Sequence, residues 1–298
     1  MLHSFAPFSR CGHVCRRAVL GAAGIAMLAA PFVLRAQESP RLLNIGLTPV
    51  FLNDDLGLLS ALKTYLEAFT ARPVKLVLRR TYQEITGLLL SGQLDAAWIC
   101  GYPYVAFRDR LDLLAVPLWR GKPVYQSYLI AGADSQTASV EDLRGGVHAF
   151  SDPNSNSGYL VTAALLMEMG QRPEQFFARV FFTYGHRNVV RAVAAGLADS
   201  GSVDGYVWEV ITETEPKLTS GTRIIRKSEW LGFPPIAIPR GALARPEAQV
   251  LQQAFVSMGD DPRGQFVLQL LRLDGFTRAE PSLFDSIAAK ADLVKRLG

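Results

Sequence analysis

The sequence predicts an α/β protein built as two lobes with a cleft between them. Short apolar strand patterns alternate with helical patterns, which is typical of a parallel sheet with crossover helices. An extended segment at 125–133 interrupts this alternation, which then starts again, and a second extended segment at 222–240 carries the chain back. The second lobe is therefore expected to be an insertion spanning 126–224, and the first lobe to comprise 37–125 and 225–298.

In the first lobe, a predicted helix or turn follows each of the first three predicted strands and connects it to the next strand. The helices have apolar residues on one face at a period of 3.6, whereas the strands are short, nearly continuous apolar runs. The predicted strands are 42–48, 74–80, 94–100 and 111–119, and the predicted helices are 54–69, 81–93 and three near 245–257, 262–271 and 281–296.

The second lobe repeats the same alternation over a shorter length. Its predicted strands are 146–152, 179–185 and 202–208, and its predicted helices are 156–170 and 187–199. In open α/β sheets a bound molecule lies outside the carboxyl ends of the strands. The residues that follow the predicted strands are therefore the candidates for a binding site.

The first 36 residues have the organisation of a secretory signal peptide. A basic segment without acidic residues precedes the apolar run 18–34, and the small residue Ala36 follows it. The pair Arg16-Arg17 directly before the apolar run is typical of twin-arginine export signals. Because the run is short for a membrane span and contains Pro31, we expect cleavage near Ala36 and export rather than anchoring.

Removal of this leader changes the charge balance. The whole chain has 31 Lys and Arg against 27 Asp and Glu, but four of the arginines and none of the acids lie in the leader. The mature protein therefore has no basic excess, which argues against nucleic acid as a partner. It keeps one cysteine and two histidines, so we expect no disulfide within the chain, no metal site and no cofactor.

The most specific stretch is the sequence SDPNSNSGYL at 151–160, where a strand ends and a helix begins. Ser155, Asn156 and Ser157 have side chains suited to a helix N-cap, and a helix N-terminus presents amides that can bind an anion. Gly158 allows close approach of the backbone or of a ligand. An ordinary helix cap remains the alternative, since one hydroxyl is enough for that purpose.

Three further candidate site residues lie next to predicted strands, namely Tyr82, His186 and Asp204. Thr81 and Glu84 form a predicted capping box that places Tyr82 at the first helical position, either facing the cleft or packed on the sheet. His186 is expected at the end of the second lobe's middle strand, and Asp204 at the start of the next strand. A neutral histidine can donate to an oxyanion, and a carboxylate can accept from a protonated one.

Cys100 ends the third predicted strand, with Gly101 and Tyr102 directly after it. A free cysteine is commonly a small buried apolar residue. The functional alternative is a thiol in the wall of the cleft that contacts a bound molecule, as sulfur does with soft ions. A nucleophilic thiol would need a base within hydrogen-bond distance, and His186 is expected on the opposite lobe.

Taken together, these stretches resemble the periplasmic solute-binding proteins for phosphonate and phosphite. The resemblance covers nearly all of 42–240, and its most specific part is the Asp-Pro-Asn-Ser-Asn-Ser-Gly segment, which looks like the family's oxyanion-holding helix start. Tyr82, His186 and Asp204 match family positions in the two lobes. The resemblance implies a type II two-lobe fold that closes on a small oxyanion, in a monomer that delivers it to an ABC permease or a membrane sensor kinase.

One position departs from the family pattern. Cys100 stands where the phosphonate binders have an aromatic residue before the glycine. A related group of arsenite-binding proteins, which report to a membrane histidine kinase, has a cysteine in this region. The resemblance therefore implies a phosphorus oxyanion as the first candidate ligand and arsenite as the second. A minor alternative, which rests on Cys100 as a possible nucleophile, is a thiol enzyme on the same fold.

Overall fold

The computed structural model describes residues 41–49 and 56–297. The predicted signal peptide at 1–36 lies outside the described residues. Within the described ranges, no helix is long and apolar enough to cross a membrane.

The strands are short and follow the predicted order along the chain. They are β1 (Leu43–Leu47), β2 (Val74–Leu78), β3 (Ala96–Trp98), β4 (Leu111–Leu118), β5 (Val124–Tyr125), β6 (Ser127–Gly132), β7 (Val147–Phe150), β8 (Arg179–Phe182), β9 (Ser200–Asp204), β10 (Thr222–Lys227), β11 (Leu231–Gly232), β12 (Ile236–Pro239) and β13 (Gly275–Thr277).

The helices alternate with the strands along much of the chain, and a π-helical turn at Asn156–Leu160 runs directly into one of them. They are α1 (Leu56–Thr70), α2 (Tyr82–Leu90), α3 (Gly101–Ala106), α4 (Val161–Glu168), α5 (Pro173–Phe176), α6 (His186–Ala194), α7 (Gly205–Thr214), α8 (Pro216–Thr219), α9 (Pro246–Val256), α10 (Pro262–Leu271) and α11 (Asp285–Leu297).

Two separate sheets form the centres of the two lobes. The first sheet has the order β13-β4-β12-β3-β1-β2, and the second has the order β10-β6-β9-β7-β8. A two-stranded ribbon of β5 and β11 lies at the points where the chain passes between the sheets. The chain thus leaves the first sheet after β4 and returns to it with β12, as expected for an inserted second lobe.

The prediction of parallel pairing is right for β1, β2 and β3 and for β7, β8 and β9, and wrong for the predicted fourth strand, β4, whose neighbours in the sheet run antiparallel to it. β1 pairs in parallel with β2 and β3, and β7 pairs in parallel with β8 and β9. In contrast, β12, β13 and β6 each run antiparallel to their neighbours. β12 comes from the segment that returns from the second lobe and lies between β3 and β4, so β4 has antiparallel neighbours although α3 joins it to β3.

The predicted strand at 202–208 is wrong after Asp204, because α7 begins at Gly205. A short apolar run does not distinguish a strand from a buried helical turn. The glycine decides the outcome: a Cβ at Gly205 would lie 2.6 Å from Tyr128 Cε1 and 2.7 Å from the Gln126 carbonyl oxygen. The chain can therefore turn sharply from β9 into α7 only because this position has no side chain.

The last helix bridges the two lobes. α11 packs against α3 of the first lobe and against α4 of the second. Ile287 is fully buried at its start, and the Arg172 side chain of the second lobe donates a hydrogen bond to the Leu297 carbonyl oxygen at 2.8 Å near its end. The described structure therefore holds the lobes together along α11 as well as at the strand ends.

Candidate functional site

Tyr82 reaches the junction of the two sheets from the first turn of α2. Thr81 Oγ1 accepts a hydrogen bond from the Glu84 N–H at 3.2 Å, and the Glu84 carboxylate accepts one from the Thr81 N–H at 3.0 Å. This capping box confirms the predicted helix start. Tyr82 is fully buried, and its Oη lies 3.2 Å from His186 Nε2 of the second lobe. The structure therefore brings these two predicted residues together.

His186 begins α6, so the prediction that it ends a middle strand is wrong. The preceding strand, β8, is an edge strand that stops at Phe182, and Tyr184 adopts φ 54°. A residue in this left-handed region cannot continue a strand. His186 Nδ1 accepts a hydrogen bond from the Asp204 N–H at 3.1 Å. Burial lowers the pKa of His186 to about 3, so the ring is neutral and its proton is on Nε2.

Asp204 is the last residue of β9, so its predicted place at the start of a strand is also wrong. Its carboxylate accepts a hydrogen bond from the Val207 N–H at 3.2 Å and thereby caps α7. Burial raises the pKa of Asp204 to about 7, and the backbone N–H groups of Val207 and Tyr206 partly oppose this shift. The side chain is thus a buried acid that titrates close to neutrality.

The segment after β7 forms the predicted helix start in an unusual conformation. Ser155 Oγ accepts a hydrogen bond from the Gly158 N–H at 3.0 Å, and the Ser155 carbonyl oxygen accepts one from the Leu160 N–H at 3.0 Å. The second bond closes a π-helical turn, a feature frequent at functional sites. Gly158 is needed there because a Cβ would lie 1.8 Å from Ser151 Oγ. The predicted site residues of this segment are all buried, namely Ser155, Asn156 and Ser157.

Cys100 directly precedes α3 and contacts the same π-helical turn from the first lobe. Its Sγ accepts a hydrogen bond from the Asn156 N–H at 3.2 Å. Burial raises the pKa of Cys100 to about 11, and the backbone N–H groups of Asn156, Tyr102 and Gly101 partly oppose this shift. The thiol is therefore protonated at neutral pH. Gly101 packs closely against Ile287, since a Cβ would lie 2.7 Å from its Cδ1, and Tyr102 is half-buried.

Sequence reasoning missed two side chains of this cluster. Asp152 accepts hydrogen bonds from the Tyr82 N–H at 3.2 Å and from the Asn154 N–H at 2.8 Å. The Tyr125 hydroxyl accepts one from Asn156 Nδ2 at 2.9 Å. The strand-end rule could have found Asp152, since it follows β7 closely. Tyr125 lies in the segment that crosses between the lobes, and no local pattern distinguishes it.

Three buried side-chain atoms at the junction have no hydrogen-bond partner among the described residues. They are Ser151 Oγ, Asn156 Oδ1 and Ser157 Oγ. Buried polar groups in folded proteins are almost always partnered, so these atoms are candidates for contact with a bound molecule. In the described part of the chain, no cluster of three or more His, Cys, Asp or Glu side chains suits a metal ion.

A comparison with known families identifies the chain. The family model described as "ABC transporter, phosphonate, periplasmic substrate-binding protein" matches residues 45–284. The chain belongs to this family. The resemblance in the sequence is thereby confirmed, and the members of this family are substrate-binding proteins of ABC transporters.

One curated relative is the phosphate-import protein PhnD of Mycolicibacterium smegmatis. It is 28% identical to this family member over 180 residues, which are 56% of each chain. The chain thus spans about half the length of the curated relative that it matches.

Two solved structures share the fold of this family member. One is a binding protein component of an ABC phosphonate transporter from Pseudomonas aeruginosa, with a TM-score of 0.79, 22% identity, and coverage of 87% of this chain and 88% of the other. The second is PhnD1 from Prochlorococcus marinus in complex with methylphosphonate, with a TM-score of 0.78, 18% identity, and coverage of 87% and 100%. These similarities confirm the type II two-lobe fold.

Proposed function

We propose that this protein is a periplasmic solute-binding protein that captures a small phosphorus oxyanion, such as phosphonate, phosphite or phosphate, for an ABC permease. The observation that carries this proposal is the buried polar cluster between the lobes. Tyr82 of the first lobe contacts His186 of the second, and the π-helical turn beside them carries Asn156 Oδ1 and Ser157 Oγ without partners among the described residues. Family membership supports the same ligand class, as do the phosphate-import protein among the relatives and the structural neighbour in complex with methylphosphonate.

The proposed mechanism is capture by the second lobe followed by closure of the first. The π-helical turn would bind the oxyanion first through Ser155, Asn156, Ser157 and the nearby backbone amides. Closure would then bring Tyr82 and Cys100 across, as their hydrogen bonds to the second lobe indicate. Exclusion of water strengthens each hydrogen bond to a charged ligand, and a partner would recognise the closed form.

The remaining parts of the proposal concern export, lobes and partners. We propose cleavage of the signal peptide near Ala36, a monomeric mature protein, and crossings between the lobes at 125/126 and 224/225. β10 pairs with β6 of the second sheet on both sides of this second crossing, as far as Lys227. Transport through a permease is the proposed outcome of binding, and signalling through a membrane sensor kinase is the alternative.

Arsenite is the second candidate ligand, and the position of Cys100 is the observation that favours it. The sulfur lies between the lobes against the π-helical turn, where it would contact a molecule held by that turn. Trivalent arsenic bonds to sulfur, whereas a phosphorus oxyanion gains little from a thiol. Oxygen or hydroxyl groups would have to complete such a site, because Cys100 is the one cysteine in the described ranges.

We further propose that the protein is not an enzyme. A nucleophilic cysteine needs a lowered pKa or a neighbouring base, but burial raises the pKa of Cys100 to about 11. His186, the histidine of this cluster, has its Nε2 beside Tyr82 Oη and its Nδ1 beside the Asp204 N–H. Both ring nitrogens of the nearest base are therefore engaged by groups other than the thiol.

Calorimetric titration of the mature protein with phosphite, methylphosphonate, phosphate and arsenite tests the proposed function. The wild type would be compared with Cys100→Ala and with Cys100→Ser, which keeps an acceptor for the Asn156 N–H. We expect a phosphorus oxyanion to bind, and to bind the variants within a few-fold of the wild type. Arsenite binding that disappears in both variants, without binding of the phosphorus compounds, would instead establish the second candidate.

A further inference from the structure

A cavity between the two lobes lies apart from the candidate site. It has a volume of about 480 Å³ and separates α7 of the second lobe from the end of α10 of the first. Val210 and Glu213 line it from α7, and Gln269 and Arg272 line it from α10. We call this cavity the α7–α10 gap. Its lining includes none of the residues that form the candidate site.

The segments that cross between the lobes lie between this gap and the candidate site. In the first sheet, β4 and β12, which lead to and from the second lobe, separate β3 beside the candidate site from β13, which follows α10. Four buried aromatic rings, with neighbouring centroids 5.2–5.9 Å apart, run in the same direction in the order Tyr125, Phe233, Tyr206 and Trp119. Tyr125 contacts Asn156 of the candidate site, and Trp119 lines the gap. The Tyr206 hydroxyl donates to the Leu271 carbonyl oxygen, so this row holds the lobes together beside the crossing segments.

Each wall of the gap is fixed within its own lobe. The Asp274 carboxylate accepts a hydrogen bond from the Gly121 N–H at 2.7 Å, and the Asp274 N–H donates to the Leu118 carbonyl oxygen at 2.9 Å. These bonds fix the chain at the end of α10 to the turn after β4. In the second lobe, the Glu209 carboxylate accepts a hydrogen bond from the Tyr128 hydroxyl at 2.8 Å, which fixes α7 to β6. A change in the width of the gap therefore moves one lobe against the other.

The ion pairs that span the gap are partly exposed. The Arg120 guanidinium donates to the Glu209 carboxylate at 3.3 Å. Arg272 donates to the Glu213 carboxylate at 3.2 Å. The Arg120 and Glu213 side chains are 60% and 63% exposed, and ion pairs with such exposure contribute little free energy. The packing of side chains inside the gap therefore has more influence on its width than these pairs have.

We propose that the α7–α10 gap sets the ligand affinity from the opposite side of the crossing segments, with Gln269 and Val210 as affinity-determining residues that do not touch the ligand. A hinge rotation about segments that lie between a cleft and a gap widens one as it narrows the other. Closure on the ligand thus widens the gap, and a side chain that fills the gap stabilises the closed form. The apparent affinity rises with the fraction of ligand-free protein that is already closed. The inference rests on the proposed function in taking the candidate site as the ligand site.

The Gln269→Trp variant tests the inference, since Gln269 is exposed and lines the gap, so a larger side chain can enter it without disturbing the core. Its dissociation constants for phosphate, phosphite and methylphosphonate would be measured by calorimetry. We expect the compound that binds the wild type to bind the variant at least threefold more tightly. Small-angle X-ray scattering should give a smaller radius of gyration for the ligand-free variant than for the ligand-free wild type. Val210→Trp, on the opposite wall, should shift both measurements in the same direction.

The matched control is Gln265→Trp, one turn earlier on α10, where the side chain is exposed and does not line the gap. It should change the dissociation constant less than twofold. Unchanged or weaker binding by both gap variants, or an equal gain in the control, would overturn the inference and leave the proposed function intact. If no phosphorus compound binds, the proposed function fails and scattering decides the inference. A more compact ligand-free Gln269→Trp then supports it, and an unchanged radius of gyration overturns it.

Discussion

Two histidine clusters of this protein have the same burial and the same electrostatics but different surroundings. Burial lowers the pKa of both His148 and His186 to about 3. His148 Nδ1 and Nε2 lie 2.7 Å and 2.8 Å from Ser200 Oγ and Ser202 Oγ, in the same sheet. Its ring also stacks on Phe177, with centroids 4.3 Å apart. His186 instead contacts a tyrosine of the other lobe.

The difference shows that neither burial nor a displaced pKa identifies a binding residue. The polar atoms around His148 pair with one another inside the second lobe, and Ser202 is also hydrogen-bonded to Thr162. A polar cluster that is satisfied within one lobe stabilises that lobe. The cluster around His186 crosses between the lobes and includes buried atoms at Asn156 and Ser157 that have no partner among the described residues, as expected of the proposed ligand site.

The largest expected effect is on the stability of the His148→Ala variant. Loss of the ring leaves a cavity against Phe177 and removes the partners of Ser200 and Ser202, so unfolding free energy should fall by about 3 kcal/mol. Urea unfolding measures this change, and the phosphate dissociation constant should remain within twofold. His186→Ala is the matched variant, for which we expect a smaller loss of stability and a loss of binding. Equal effects of the two variants on phosphate binding would contradict the assignment of a structural role to His148 and a binding role to His186.

The Gly158→Ala variant should distort the π-helical turn. The added methyl group would overlap Ser151 Oγ, and overpacking of this kind lowers the unfolding free energy by about 2 kcal/mol. Gly87→Ala in α2 is the control, since nothing lies within 4 Å of its Cβ position, and it should be neutral or stabilising. Addition of Ser151→Gly should restore part of the loss. No recovery in the double variant would show that the clash lies elsewhere.

Tyr82→Phe tests the contact between the lobes with little change in packing. Removal of the hydroxyl should weaken phosphate binding about tenfold, or about 1.4 kcal/mol, because His186 and the ligand both lose a partner. Tyr65→Phe is the matched control: the Tyr65 hydroxyl donates to the Ala254 carbonyl oxygen within the first lobe. That variant should lower stability by about 1 kcal/mol and leave binding unchanged. Isothermal calorimetry on both variants decides between a binding and a structural role for Tyr82.

The smallest expected effect concerns acid stability. A histidine whose pKa is lowered by folding stabilises the fold above its unfolded pKa of about 6.5, and this contribution is lost as the pH falls toward 3. Each of the two histidines should therefore lower the unfolding free energy by about 1 kcal/mol when the pH falls from 7.5 to 5.5. Asp204, whose pKa folding raises to about 7, shifts stability in the opposite direction over this interval.

The difference between His148→Gln and the wild type isolates the histidine contribution to acid stability. When the pH falls from 7.5 to 5.5, the unfolding free energy of His148→Gln should decrease by about 1 kcal/mol less than that of the wild type. Urea unfolding at each pH measures this difference. His186→Gln should show the same difference, since pH-dependent stability does not separate the two clusters. Only ligand binding does so. A pH dependence identical to that of the wild type would mean that His148 takes up a proton in the folded state.

Much of the candidate site was predictable because the relevant signals are local. The capping box around Thr81 placed Tyr82 correctly, and the polar segment at Ser155 began a helix as expected. The π-helical form of that turn was not predictable. It depends on hydrogen bonds that link β7 to the turn, such as the one from the Ser151 N–H to the Gly158 carbonyl oxygen, and on the absence of a side chain at Gly158.

The positions of His186 and Asp204 show where local patterns fail. His186 was expected at the end of a strand and Asp204 at the start of the next, but they lie at the first turn and at the N-cap of helices. Tyr184 in a left-handed conformation ends the strand before His186, and Gly205 allows the sharp turn after Asp204. These conformations are stabilised by contacts with other strands, which a pattern of apolar residues does not encode.

The sequence by itself determined the alternation of strands and helices, the insertion of one lobe into the other, and the family. The first two follow from the periodicity of apolar residues and from short-range capping, which act within a few turns of the chain. The family is indicated by the resemblance of motifs such as the segment at 151–160. Only the tertiary structure decided which polar groups meet. Tyr82 and His186 are 104 residues apart and Cys100 and Asn156 are 56 apart, so their contacts depend on how the two lobes pack together, and so does the environment of Asp204.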